Sequence, residues 1–208
     1  QSRSSAASDV YKRQTLMSAS GFMLMVDSEN LIMLFIGLEI GSISLYALAG
    51  LNRGDKLSNE ASLKYFLLGS LASCILIYGV SLVFVSFSVF SVYNFALGIA
   101  YVGPDSVPLT TSIGVLLIFI GLLFKIAAAP FQSWAPDVYQ GSPTGYVGFM
   151  SSIAKVSSFI VIARLCLVSI NFIIEDFNSF FLIVIISSAL IGSLFASIQE
   201  DLKRLLAY

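Results

Sequence analysis

An all-α, polytopic bundle of transmembrane helices is the fold class this sequence predicts, and three observations predict it. Hydrophobic residues make up 57% of the 208 and charged residues only 11%, whereas soluble domains carry about 25% charged. The apolar residues fall in runs near the roughly 20 that a spanning helix needs, bounded by polar or helix-breaking residues. Those runs are continuous and lack the alternation over about ten residues that marks a β-barrel strand.

Several function classes are excluded at this level. No hydrophilic region is large enough to form a soluble domain, so catalysis in water has to come from another chain. A net charge of -1 with a pI near 5.3 offers no basic surface for nucleic acid. Cys74 and Cys166 stand singly in apolar runs and the chain has no histidine, which argues against metal, haem or iron-sulfur ligation. Both cysteines read as small hydrophobes packed among helices.

The elements follow in order. Residues 1–14, QSRSSAASDVYKRQ, have neither the apolar core of a signal peptide nor the pattern of a transit peptide. They are set apart as translated adapter or mis-assigned sequence, foreign to the fold. A short first span covers 15–26. The second covers 31–51, between Asp27-Ser28-Glu29-Asn30 and Asn52-Arg53-Gly54-Asp55-Lys56. A third begins near Glu60, behind the capping candidates Ser58 and Asn59, and reaches Phe87. Residues 88–109, with Asn94, Gly103, Pro104, Asp105 and Pro108, read as a connecting loop with short local structure. A fourth span starts near Thr110 and is interrupted at Pro130, and the fifth and sixth cover 146–170 and 177–198. If about six spans alternate, Lys12, Arg13, Arg53, Lys56, Lys203 and Arg204 fall on one side. Asp27, Glu29, Asp105, Glu175 and Asp176 fall on the other, so the first side is cytoplasmic or matrix.

Against this background, ionisable groups inside apolar runs stand out. A charge at the centre of a membrane helix costs about 2.5 to 3.5 kcal/mol on insertion scales, so such groups mark an ion or proton route. Glu39 lies near the middle of the second span and shares a face with Ser42 and Tyr46. Gly37 and Gly41 form a small-xxx-small pair on roughly the opposite face, where a neighbouring helix can approach. Lys125 closes the run GVLLIFIGLLFKIAAAP. Pro130, five residues on, removes a backbone donor and clashes with the carbonyl of Ile126, so the helix breaks or kinks there. Non-helical backbone at that depth needs protein or water to satisfy it, which places Lys125 where it can meet water. Lys155 lies about ten residues into the fifth span, with Ser151, Ser152 and Ser158 three or four residues away as possible walls of a hydrated path. Lys64 has Glu60 at i-4, so an interfacial ion pair competes with a transport role. Arg164 reads as an anchor near a helix end.

Each has a plainer alternative: a protonated buried carboxyl at Glu39, a snorkelling lysine at Lys125, a structural role at Lys155. The mechanism the set suggests is physical. Lysine titrates near 10.4 in water and full desolvation lowers this by about 3 to 5 units, while a nearby carboxylate opposes the shift. Moving Glu39 closer to a lysine or farther from it would load or unload that lysine without any cofactor.

At these residues a resemblance emerges. FKIAAAPFQSWAPDVYQGSPT closely resembles the broken-helix signature of the antiporter-like subunits of respiratory complex I, the proton-pumping NADH:ubiquinone oxidoreductase. LFIGLEIGSISLYALAG, NEASLKYFLLGSLAS and QEDLKRLLAY look like the flanking segments of its NADH dehydrogenase subunit 2 branch. The resemblance covers 15–208. It implies an inverted-repeat fold of paired five-helix repeats, with 15–170 matching the first repeat and 171–208 the truncated start of the second. It also implies that Glu39 and Lys125 form an ion pair beside the helix break at Pro130, and that Lys64 and Lys155 pass protons along a central axis. Other membrane-arm subunits and the lipid bilayer would be the partners. FMN, iron-sulfur clusters and quinone would belong to those partners, with no cofactor or metal in this chain. The implied location is the mitochondrial inner membrane, with a bacterial plasma membrane as the alternative.

Two departures accompany the resemblance. Gln132 stands where the family usually has histidine, which puts a titrating role there in doubt. The chain stops where the family continues, so either the sequence is a fragment or a second polypeptide completes the subunit. Alternative functions are a subunit of a multi-subunit cation/proton antiporter, and a structural membrane-arm subunit that no longer pumps.

Overall fold

The computed structural model describes residues 2–103, 106–168 and 174–208. Gln1, Pro104, Asp105 and the end of the fifth span at 169–170 lie outside the described residues.

Two helices open the chain as an antiparallel pair. α1 (Ser2–Asp27) is continuous from a polar first half into an apolar second half, so helix begins well before the expected start at residue 15. α2 (Leu31–Ala49) follows after three residues and is capped by Asn30, whose side chain accepts from the backbone N–H of Ile32 at 2.9 Å and of Met33 at 3.5 Å. The helix neighbour anticipated at Gly37 and Gly41 is α1. A Cβ on Gly37 would lie 2.5 Å from the Met25 backbone nitrogen, and one on Gly21 would lie 2.4 Å from that of Gly41. Ser18 completes the crossing by donating to the Gly41 carbonyl at 3.1 Å.

α3 (Lys56–Phe87) starts four residues earlier than the sequence suggests, because Asp55 is the N-cap and accepts from Leu57 N at 3.0 Å. Ser58 and Asn59, expected as caps, instead donate back to the Ala49 and Arg53 carbonyls at 2.8 and 3.0 Å. They bind the α2–α3 turn rather than the helix end. The expected loop at 88–109 contains an 11-residue helix, α4 (Val92–Val102), capped by Ser91. Leu31 N to Phe90 O at 2.8 Å and Val92 N to Glu29 O at 2.9 Å fix α4 beside the start of α2.

α5 (Leu109–Ile126) packs on α3 through glycines: a Cβ on Gly79 would lie 2.5 Å from the Gly114 carbonyl. The break precedes Pro130. α5 ends at Ile126, Ala127 turns left-handed at φ 58°, a short 3₁₀ turn covers Phe131–Ser133, and α6 (Trp134–Gly141) resumes. Next come α7 (Thr144–Phe149), a π-turn at Met150–Ala154, and α8 (Lys155–Val168), forming one apolar rod. α9 (Ile174–Ser197) and the short α10 (Leu202–Ala207) close the described chain.

Five of these segments are long and apolar enough to cross a membrane: Leu31–Ala49, Lys56–Phe87, Leu109–Gly141, Thr144–Leu167 and Phe177–Ser197. α1, the remaining span of the sequence reading, is lowered in hydropathy by its polar first half. Leu63, Leu67, Leu71, Val85, Ile183, Ile186 and Leu190 point outward, as a lipid- or protein-covered surface requires. Cys74 is also on the outer surface, contrary to the packed position expected, while Cys166 is half-buried.

Candidate proton-handling site

The site is assembled around the interruption between α5 and α6. Breaking a helix at membrane depth frees backbone groups that must find partners. Trp134 Nε1 donates to the Phe124 carbonyl at 3.1 Å, Ala128 N reaches Leu123 O at 3.1 Å, and Ala129 N donates to Ser188 Oγ of α9 at 2.9 Å. Trp134 is wedged between rings, stacked on Tyr65 of α3 at 4.7 Å and on Phe124 at 5.5 Å. These contacts set the position of the last turn of α5, and of Lys125 with it.

Lys125 is 5% exposed. Its ammonium donates to Tyr46 Oη at 3.0 Å and to Ser42 Oγ at 3.2 Å, both on the α2 stripe that carries Glu39. Glu39 sits one turn away and accepts from Ser73 Oγ of α3 at 2.5 Å. No carboxylate approaches Lys125 within the 4.0 Å of a direct ion pair among the described residues. The helix faces bring Glu39 and Lys125 into one polar pocket, but as an open pair, each held by neutral hydroxyls. Tyr46 fits there because α3 offers Gly69: a Cβ at that position would lie 2.3 Å from the Tyr46 hydroxyl. Tyr65 meets the Tyr46 ring edge-on at 4.7 Å.

Lys155 follows the π-turn, a local widening of the helix that recurs at functional sites. Its ammonium stands over the Tyr139 ring of α6, 5.5 Å from the centroid. The nearby serines do not point hydroxyl protons at it. Ser151 and Ser152 donate to the Gly148 carbonyl at 3.0 and 2.9 Å, and Ser158 to that of Ala154 at 2.8 Å.

Lys64 belongs to a separate, more exposed cluster. It contacts Glu60 Oε1 and Asp137 Oδ2, each at 2.7 Å, while Asp137 Oδ1 meets Arg204 NH1 at 2.9 Å. Arg204 also donates to Gln140 and Gln199, and Lys203 donates to the Ser142 carbonyl at 2.9 Å. α3, α6 and α10 are tied together at the end where α3 begins, so Lys203 and Arg204 share an end of the bundle with Lys56. Arg164, expected as an anchor near a helix end, donates to the Val26 carbonyl in the last turn of α1.

Sequence reasoning missed Ser73, Gly69, Asp137 and Tyr139, which all act across helix interfaces. Asp137 was findable as a carboxylate inside the broken-helix segment. Ser73 and Gly69 gave no signal beyond being small. Gln132 places its amide oxygen in the interior without a hydrogen-bond partner among the described residues. No group of three or more His, Cys, Asp or Glu side chains converges among the described residues.

Comparison with known proteins gives this arrangement a family. The family described as NADH:quinone oxidoreductase/Mrp antiporter, TM, matches residues 28–208. The chain belongs to that family. NADH-quinone oxidoreductase subunit N of Trichlorobacter lovleyi is 42% identical over 193 residues, covering 93% of this chain and 39% of the relative. A chain of respiratory complex I from Thermus thermophilus, solved with bound aureothin, superposes with a TM-score of 0.79 at 33% identity, covering 95% of this chain and 42% of that one. A chain of the Mrp complex from Dietzia reaches a TM-score of 0.81 at 21% identity, covering 92% and 35%, and shares the fold. The present chain thus spans about two fifths of the length of the antiporter-family relatives it matches. The relatives from Trichlorobacter lovleyi and Solibacter usitatus carry the names NADH-quinone oxidoreductase subunit N and subunit N 1 and are bacterial, where the sequence motifs suggest the subunit 2 branch and a mitochondrion.

Proposed function

We propose that this chain is the first five-helix repeat, with the start of the second, of a subunit-N- or subunit-2-type membrane-arm protein of complex I. In this reading it moves protons across the membrane. The observation that carries the proposal is Lys125, an amine buried at a helix interruption and held by two hydroxyls of α2, the helix that also carries the Glu39 carboxylate. An ammonium so placed is desolvated and meets no contacting counter-ion among the described residues, so small movements of Glu39 alter its hold on the proton. Lys155 is a second amine along the same bundle, where it would receive or pass the proton. Lys64, in its ion-pair cluster, would act at the more exposed end.

The neighbouring membrane-arm subunits and the lipid bilayer are the partners this reading requires. FMN, iron-sulfur clusters and quinone would reside in other subunits, and the chain would contribute to NADH:ubiquinone reductase activity only through proton translocation. Bacterial relatives favour a plasma membrane over the mitochondrial inner membrane.

The test is proton pumping by the assembled complex in sealed vesicles. Lys125→Met and Glu39→Gln are each expected to cut pumping and the quinone reduction coupled to it; wild-type pumping in both variants would contradict the assignment. A cation/proton antiporter subunit is the second reading, favoured by the family description, which joins Mrp antiporter to NADH:quinone oxidoreductase. Co-purification with flavin and iron-sulfur subunits separates the two.

A further inference from the structure

The hydroxyl groups around the open pair form a set of their own. Ser73 Oγ lies 2.5 Å from Glu39 Oε1 and 3.0 Å from the Gly69 carbonyl oxygen. A serine hydroxyl carries one proton, so it can donate to one of these acceptors at a time. Ser73 is buried, and a buried donor without an acceptor is costly. Here the alternative acceptor is already in place, so Glu39 can leave without orphaning the hydroxyl. Gly69 faces both halves of the pocket, accepting from Ser73 and leaving room for the Tyr46 hydroxyl that holds Lys125.

We propose that Ser73 is a positioning residue that keeps Glu39 away from Lys125, while Ser42 and Tyr46 hold the ammonium from the other side. Three hydroxyls thus set the open state of the pair. Closure requires Ser73 to turn its proton from Glu39 to the Gly69 carbonyl. Glu39 then competes with Ser42 and Tyr46 for the ammonium. The inference rests on the proton-translocating reading above.

The experiment uses the full-length subunit in the assembled complex, in vesicles. Infrared difference spectra against Glu39→Gln isolate the Glu39 carboxyl band, and pumping is measured on the same samples. Ser73→Ala is expected to shift that band and to lower pumping about tenfold, the scale of one hydrogen bond to a charged group. Ser73→Thr, which restores a hydroxyl, is expected to return both toward wild type. An unmoved band with wild-type pumping in Ser73→Ala overturns the proposal, as does a Ser73→Thr variant as impaired as the alanine. If Glu39→Gln itself pumps like wild type, the underlying functional reading falls. If only Ser73→Ala does so, that reading stands and the positioning role is refuted.

Discussion

Replacing Gly69 with alanine puts a methyl group where the Tyr46 hydroxyl now sits. The added Cβ would lie 2.3 Å from Tyr46 Oη, against the 3.4 Å at which ordinary contact begins, so the hydroxyl has to retreat by about 1.1 Å. Directed away from Lys125 Nζ, that displacement opens the present 3.0 Å to about 4.1 Å, beyond hydrogen-bond reach. A hydrogen bond to a charged group contributes about 1.5 to 3 kcal/mol, whereas alanine in a helix interior gains about 1 kcal/mol over glycine. These terms oppose each other in fold stability, so the expected net loss is only about 1 kcal/mol. Nothing offsets the loss at the ammonium itself, and pumping is expected to fall about tenfold. The assay is vesicle pumping alongside thermal unfolding of the assembled complex, in a double-mutant cycle with Tyr46→Phe. Tyr46→Phe already removes the hydrogen bond to Lys125, so Gly69→Ala should lower pumping little further, while the ring Cζ, 2.8 Å from the added Cβ, keeps a steric cost that is read in the unfolding. Wild-type pumping in Gly69→Ala, or fully additive losses in the double variant, would refute the reasoning.

Other perturbations separate the structural devices from the site. Ser188→Ala leaves the Ala129 N–H at the helix break without its partner and is expected to cost about 1 to 3 kcal/mol, read as faster hydrogen exchange through 127–133; unchanged exchange there would dismiss the α9 contact. Asp137→Asn deprives Lys64 and Arg204 of a shared carboxylate. For these partly exposed pairs the expected effect is about 1 kcal/mol or less, with earlier proteolysis near α10 and strong non-additivity with Arg204→Gln. Gly37→Ala pushes a Cβ to 2.5 Å from the Met25 backbone nitrogen, a clash that side-chain motion cannot relieve. It should destabilise by about 1 to 3 kcal/mol and lower the yield of assembled protein. Lys155→Met should slow pumping while leaving thermal stability nearly unchanged, since its ammonium faces a ring and meets no ion-pair partner among the described residues; a large loss of stability would make Lys155 structural.

The sequence by itself determined the membrane class, the main apolar spans, the helix break near Pro130 and the identity of the unusual ionisable residues. These are local properties: hydropathy over about 20 residues, the missing N–H of a proline, and the high cost of charge in hydrocarbon. Its errors lay at boundaries, where single side chains decide, and at Cys74, expected among packed helices but found on the outer surface. Asp55 rather than Ser58 or Asn59 caps α3, and Ser91 starts a helix inside an expected loop.

Only the tertiary structure decided who meets whom. Glu39 and Lys125 meet different partners: Ser73 of α3 donates to Glu39, whereas Lys125 of α5 donates to Ser42 and Tyr46 of α2, the latter seated against Gly69 of α3. Lys64 finds Asp137, 73 residues away, through the packing of α6 on α3. Helix periodicity fixes which residues share a face, whereas the partner of that face depends on where glycines let two backbones approach. Gly37 with Gly21 and Gly79 with Gly114 make those choices here, and each requires both helices at once.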